Sequence, residues 1–308
     1  MAKLTPRFDE VPVLGPHGFT LVGYTEWGSP DAERTVVCVH GLTRNSRDFD
    51  FLAERLVERG ARVVAPDLPG RGRSEPVEHA EDYGTPLYLA AMAALIARLG
   101  VREIDWIGTS LGGHIGMELA ARAGSPIRRL VLNDFGASVP VAALQRIAGY
   151  LRRAHTFATL AEVELYLRDV YAPFGALTDS QWRHMAVHGV VQEQRGLRLH
   201  YDPAIVAQFS RPLLLDVVLW RVWEHVACPV LIVRGEDSDL LLPATVAEMQ
   251  RRGIAAAQGL VDAVSIPGCG HAPALMAADQ IRIVEEFLFG ARAAAAAKRP
   301  GRARAATG

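Results

Sequence analysis

The chain has 308 residues, half of them hydrophobic, with 33 basic and 34 acidic side chains and a formal net charge of −1. That length supports one sizeable core, or one core carrying a large insertion, and the balanced charge supplies no global field for nucleic acid or an acidic surface. Three widely spaced cysteines, Cys38, Cys228 and Cys269, make neither a disulfide framework nor a metal-type cluster.

Residues 8–14 and 19–27 read as two strands split by the turn Gly15-Pro16-His17-Gly18, expected to form an antiparallel sheet edge. Strands and helices then alternate: strand 35–40, helix 46–59, strand 61–66, helix 82–99, strand 103–108, helix 112–123 and strand 128–134. Such alternation implies right-handed crossovers and a mostly parallel sheet with helices on both faces. It resumes after a gap, with strand 229–234, helix 243–252, strand 260–266 and helix 276–289.

The gap, 136–226, is too long for a structureless loop in a compact domain. Its patterns are helical. Thr159 to Glu162 and Thr178 to Gln181 are capping-box signatures, and Asp202-Pro203 reads as an N-cap followed by proline at the first helical position. Leu160, Val163, Leu167 and Val170 recur at helical spacing. The expected division is a core of 1–135 with 227–290, a helical cap of 136–226 over the carboxyl ends of the strands, and a disordered low-complexity tail of 291–308. Met1 to Pro6 lacks an apolar h-region, and no run of about 18 apolar residues exists, so neither signal peptide nor membrane span is expected and a cytoplasmic setting is the default.

The chemistry concentrates in Gly108-Thr109-Ser110-Leu111-Gly112, between an apolar strand and an alanine-rich helix. A serine on so sharp a strand-turn-helix needs small neighbours two residues either side, because the two backbones nearly touch. Its hydroxyl then projects at a helix amino terminus, where orphan N–H groups can stabilise an oxyanion. His40-Gly41 ends an earlier apolar run. Asp239 follows a third run, and Gly270-His271 a fourth. With this order of oxyanion loop, serine, acid and histidine, the chain resembles an α/β-hydrolase of the capped, esterase-like kind over residues 8 to 290.

The resemblance implies a catalytic triad of Ser110, Asp239 and His271. Serine needs an adjacent base, and His271 lies in a glycine-rich loop after the last strand. The acid stays open among three residues. In such hydrolases it lies a few residues past the strand's glycine and about four before a proline. Asp239 meets the second measure against Pro243, while Ser238 occupies the usual place by the first; Asp134 and Asp237 are the alternatives. The oxyanion hole would be the backbone N–H groups of Leu42 and Leu111, with His40 bracing its loop. The glycines of Asp67 to Ser74 lack the Gly-Lys-Ser/Thr ending of a phosphate loop and read as a structural wall. Among Phe135, Phe174, Trp182, Tyr201, Phe209, Trp220 and Trp223, some would line an apolar pocket and others pack the cap.

The implied activity is carboxylic-ester hydrolysis of a small, partly apolar molecule through an acyl-enzyme, with no cofactor, no metal, and no nucleic-acid or membrane partner; a homodimer is left open. Carbon–carbon hydrolysis of aromatic ring-fission products, lactone hydrolysis and a non-catalytic small-ligand receptor are the alternatives. Ala272 stands where many carbon–carbon hydrolases carry tryptophan, and Ser110 stands where dehalogenases and epoxide hydrolases carry aspartate.

Overall fold

The computed structural model describes residues 5–151, 155–209 and 214–290. Its first strands, β1 (Arg7–Leu14) and β2 (Phe19–Trp27), pair antiparallel from Leu14↔Phe19 to Arg7↔Glu26. The alternating part follows as β3 (Arg34–Val39), α1 (Asp50–Glu58), β4 (Ala61–Pro66), α2 (Thr85–Leu99), β5 (Ile104–Thr109), α3 (Leu111–Ala120) and β6 (Ile127–Asn133). The long segment after β6 contains β7 (Ser138–Val139), α4 (Val141–Leu151), β8 (Thr156–Phe157), α5 (Leu160–Val170), α6 (Asp179–His188), β9 (Val190–Glu193), β10 (Gly196–Leu199), β11 (Val217–Val218) and α7 (Trp220–Trp223). The chain then returns to the sheet with β12 (Val230–Gly235), α8 (Pro243–Met249), α9 (Ile254–Ala257), β13 (Val261–Ile266) and α10 (Ala278–Phe289).

Eight strands form one sheet in the order β1-β2-β4-β3-β5-β6-β12-β13. The β1–β2 and β2–β4 pairs are antiparallel, and every later pair is parallel. The α/β-hydrolase architecture expected from the sequence is therefore present, its antiparallel edge included.

Both faces of this sheet are buried, which is why its central strands read as near-continuous apolar runs. Side chains still alternate. Trp106, Leu132 and Ile232 pack under α2 and α3 with Leu87, Met92 and Ile115. Ile107, Val131 and Val233 face the other way, against Leu52 and Leu56 of α1 and Val284 and Leu288 of α10. Each fully buried side chain of this size stabilises the fold by about 1.5–3 kcal/mol.

The segment between β6 and β12 departs from the all-helical expectation. Helices α5 and α6 start where the caps indicated: Thr159 Oγ1 accepts the Glu162 N–H at 3.2 Å, and Thr178 and Gln181 close both bonds of a capping box. Asp202 Oδ1 accepts the Ala204 N–H at 2.9 Å, but the turn that follows, Pro203–Phe209, is 3-10. The same segment also builds a three-stranded sheet, β8-β10-β9, and a two-stranded one, β7-β11. The β9–β10 hairpin turns at Gln194-Arg195 and enters Gly196 at φ +128°, where any Cβ would collide with the Phe157 carbonyl of β8. Loops after β3, β5, β6, β12 and β13 open on one side of the sheet, and this segment packs over them. The expected tail, 291–308, lies outside the described residues. Among the described residues no helix is long and apolar enough to cross a membrane.

Candidate active site

Ser110 sits between β5 and α3 at φ +52° and ψ −111°, in the sparsely populated conformation of a nucleophile elbow. Glycines on either side permit it. A Cβ at Gly108 would strike the Gly112 carbonyl, and one at Gly112 would strike the Val39 carbonyl of β3. The Ser110 N–H donates to the Asn133 carbonyl at 2.9 Å, tying the elbow to the end of β6.

The loop after β13 brings His271 back over the serine. Ser110 Oγ and His271 Nε2 lie 2.8 Å apart, although 161 positions separate them. Asn133 helps hold that loop: its Nδ2 donates to the Pro273 carbonyl at 2.8 Å and to Thr109 Oγ1 at 3.0 Å. Nothing in the sequence pattern singled out Asn133, whose only signal is a polar residue at the end of a buried strand.

The acid partner differs from the sequence expectation. His271 Nδ1 lies 2.7 Å from Asp134 Oδ2, not from Asp239. Asp134 is fully buried at φ +53°, immediately after β6. Its carboxylate also accepts the Gly235 N–H at 2.9 Å and the Ser238 hydroxyl at 2.6 Å. Three donors thus satisfy a charge that would otherwise be costly to bury. Asp239 faces outward and is held by both Nε and Nη2 of Arg146, at 2.7 and 2.8 Å. Asp237 is exposed and contributes a backbone N–H to the Cys269 carbonyl. Ser238, which occupies the position usual for the acid, thus supports Asp134 instead. A hydroxyl suits that place, since a second carboxylate there would repel the first.

With Nδ1–H donated to Asp134, the Nε2 lone pair faces the Ser110 hydroxyl, the arrangement needed to accept its proton. Leu42 and Leu111 both belong to the cavity wall at this point, and Leu111 opens α3. Behind them, His40 is buried. The Leu68 N–H donates to its Nε2 at 2.9 Å, so Nδ1 carries the proton given to the Gly41 carbonyl at 2.6 Å. Burial drives its pKa down to about 3, keeping it a neutral brace. Asp67 braces the neighbouring loop by accepting the Ser46 and Arg73 N–H groups at 2.6 and 2.9 Å. Cys269 is buried and packs against Gly175, and burial raises its thiol.

The cavity over Ser110 has a volume of about 450 Å³ and is lined mainly by apolar groups. Of the aromatics weighed from sequence, Phe135, Phe174 and Phe209 line it. Trp223 is core instead, with its Nε1 bonded to the Met249 and Arg252 carbonyls, and Trp182 packs within the segment above the sheet. Sequence reasoning missed the wall residues Tyr83, Tyr88, Leu144, Arg146, Tyr150 and Tyr171. Outside the cavity, Asp50, His184 and His188 converge closely enough to hold a metal ion. The Arg47 guanidinium is already there, bonded to Asp50 and 3.3 Å from His188 Nδ1.

Residues 36–282 match the model of the alpha/beta hydrolase family. The chain is 44% identical over 296 residues to a 3-hydroxybutyrate-oligomer hydrolase of Cupriavidus necator, a match covering 93% of this chain and 99% of that protein. Among solved structures it resembles a hydrolase of Rickettsia typhi, with a TM-score of 0.84, 29% identity, and 92% and 98% of the two chains covered. An alpha/beta hydrolase of Novosphingobium aromaticivorans matches with a TM-score of 0.80, 32% identity, and 94% and 99% covered.

Proposed function

From the premise that the chain belongs to the alpha/beta hydrolase family, we propose that it cleaves a carboxylic ester through an acyl-enzyme on Ser110. The observation that carries this reading is the unbroken chain from Ser110 Oγ to His271 Nε2, and from Nδ1 to Asp134, at 2.8 and 2.7 Å. In the first half-reaction His271 takes the Ser110 proton while Oγ bonds to the ester carbonyl carbon. The oxyanion accepts the N–H groups of Leu42 and Leu111, an interaction in which one donor contributes about 3–4 kcal/mol. The tetrahedral intermediate collapses by breaking the bond to the alkoxy oxygen, which takes the proton from His271 and leaves as the alcohol. In the second half, water gives a proton to His271 and its oxygen to the acyl carbon. The acid departs, and Ser110 regains its proton. Asp134 holds the imidazole tautomer and stabilises the imidazolium without taking up a proton itself.

The likeness to the Cupriavidus necator hydrolase supports short hydroxyalkanoate esters as the substrate class, and a mostly apolar cavity of about 450 Å³ suits a molecule of that size. The test is turnover of nitrophenyl butyrate and of 3-hydroxybutyrate dimer by the wild type and by Ser110→Ala. Wild-type hydrolysis of both, with the variant reduced to background, is the expected result. Hydrolysis that survives in the variant rejects the serine mechanism.

A further inference from the structure

Helix α4 contributes Leu144, Arg146, Ile147 and Tyr150 to the cavity wall. Arg146 and Tyr150 are four residues apart and so share one helix face. Asp239 engages the Nε and Nη2 edge of Arg146 and leaves Nη1 without a partner among the described residues. Of the two members of this ion pair, Arg146 lines the cavity and Asp239 does not. The pair is also near the reacting centre. Asp239 follows Ser238, which is bonded to Asp134. Burial alone would raise the Asp239 carboxyl, yet the Arg146 bonds and charge hold it below its ordinary range.

The other arginine in the described wall, Arg44, is differently placed. It is bound at 2.7 and 2.6 Å by both oxygens of Asp48, which itself lines the cavity, so its charge is cancelled there. Tyr150 adds a phenol to the Arg146 side, and burial pushes its pKa far up, leaving a neutral O–H donor. The remaining wall is largely apolar and suits a short aliphatic chain.

We infer that Arg146, oriented by Asp239 and assisted by the Tyr150 hydroxyl, is a carboxylate-binding subsite that selects esters whose leaving alcohol carries a free carboxylate, such as short oligomers of a hydroxy acid. This rests on the ester-hydrolase reading and deepens it: Ser110 attacks the ester carbonyl while Arg146 holds the acid terminus of the departing hydroxy acid. A guanidinium fork matches a carboxylate in shape as well as charge.

The experiment compares kcat/KM for 3-hydroxybutyrate dimer as the free acid and as its methyl ester, in the wild type, Arg146→Met and Arg146→Met/Asp239→Asn. The wild type favours the free acid. In Arg146→Met the ratio of acid to methyl ester falls about ten- to a hundredfold, the range of a hydrogen bond to a charged group. The double variant removes the unpaired Asp239 carboxylate left by the single one, and its ratio also falls at least about tenfold. Circular dichroism and a urea titration report whether each variant is folded. Equal ratios in all three proteins overturn the subsite and leave the serine mechanism standing. A wild type that cleaves nitrophenyl butyrate through Ser110 but neither dimer overturns the substrate class as well. Turnover that survives Ser110→Ala removes the reading on which the subsite rests.

Discussion

At Asp134 a buried carboxylate meets one imidazole, one hydroxyl and one backbone N–H, and this set distinguishes it from every other acid near His271. Asp134→Asn removes the acceptor that holds the His271 tautomer, and kcat for a nitrophenyl ester falls by about 10⁴, the scale of wrong-tautomer triad variants. Asp239→Asn loses a half-exposed ion pair with Arg146 and changes the same kcat by less than about tenfold, because exposed pairs contribute about 0–1 kcal/mol. Parallel kinetics on the two variants check this, and the reverse pattern would return the acid role to Asp239. Sequence order alone favoured Asp239 because its spacing to Pro243 is right. Side-chain direction at a loop is decided by the neighbouring strand ends, and no local pattern reports it.

At the scale of elements, the elbow was the part most legible in the chain, because its geometry leaves almost no choice of residue. Gly108 and Gly112 are required where β5, α3 and β3 approach each other. Gly112→Ala forces the Val39 carbonyl aside, with an expected loss of about 1–3 kcal/mol of stability, the scale of overpacking. A urea titration measures that loss, and reduced turnover accompanies it because Ser110 moves with the turn. An alanine variant of wild-type stability would mean that these elements can separate without cost. The segment between β6 and β12 was legible in its helix starts and opaque in its strands. Thr159 and Thr178 carry capping chemistry that acts within a few residues. The β8-β10-β9 sheet joins residue 156 to residue 198, and pairings at that separation leave only a weak trace in short apolar runs.

For the molecule as a whole, buried ionisable groups set the acid side of stability. His40 has an ordinary pKa of 6.5, lowered to about 3 by burial. The unfolded chain therefore binds the extra proton first, and stability is full above pH 6.5 and declines as the pH falls toward 3. Asp67, raised to about 6 by burial, acts in the opposite sense between pH 6 and its ordinary 3.8, because there the folded state binds the proton. The two effects are separated by comparison with His40→Asn, which cannot take up a proton. Relative to the wild type, that variant gains about 2 kcal/mol between pH 7 and pH 5, since each tenfold difference in proton affinity between the folded and unfolded chain contributes about 1.4 kcal/mol. Denaturant titrations at the two pH values give the difference, and curves that stay parallel would show that His40 already titrates normally in the folded chain.

By itself the amino-acid sequence determined the α/β alternation, the antiparallel edge, the identity of the elbow serine and the histidine brought to it, because each follows from local rules of periodicity, turn sterics and loop chemistry. Only the tertiary structure decided which carboxylate meets His271, that Ser238 supports it, and that Arg146 turns toward the cavity. Those are outcomes of competition among several candidates for one buried partner. The competition is resolved by the lateral order of β5, β6 and β12 in the sheet and by the helix packed above them, contacts made between residues roughly a hundred positions apart.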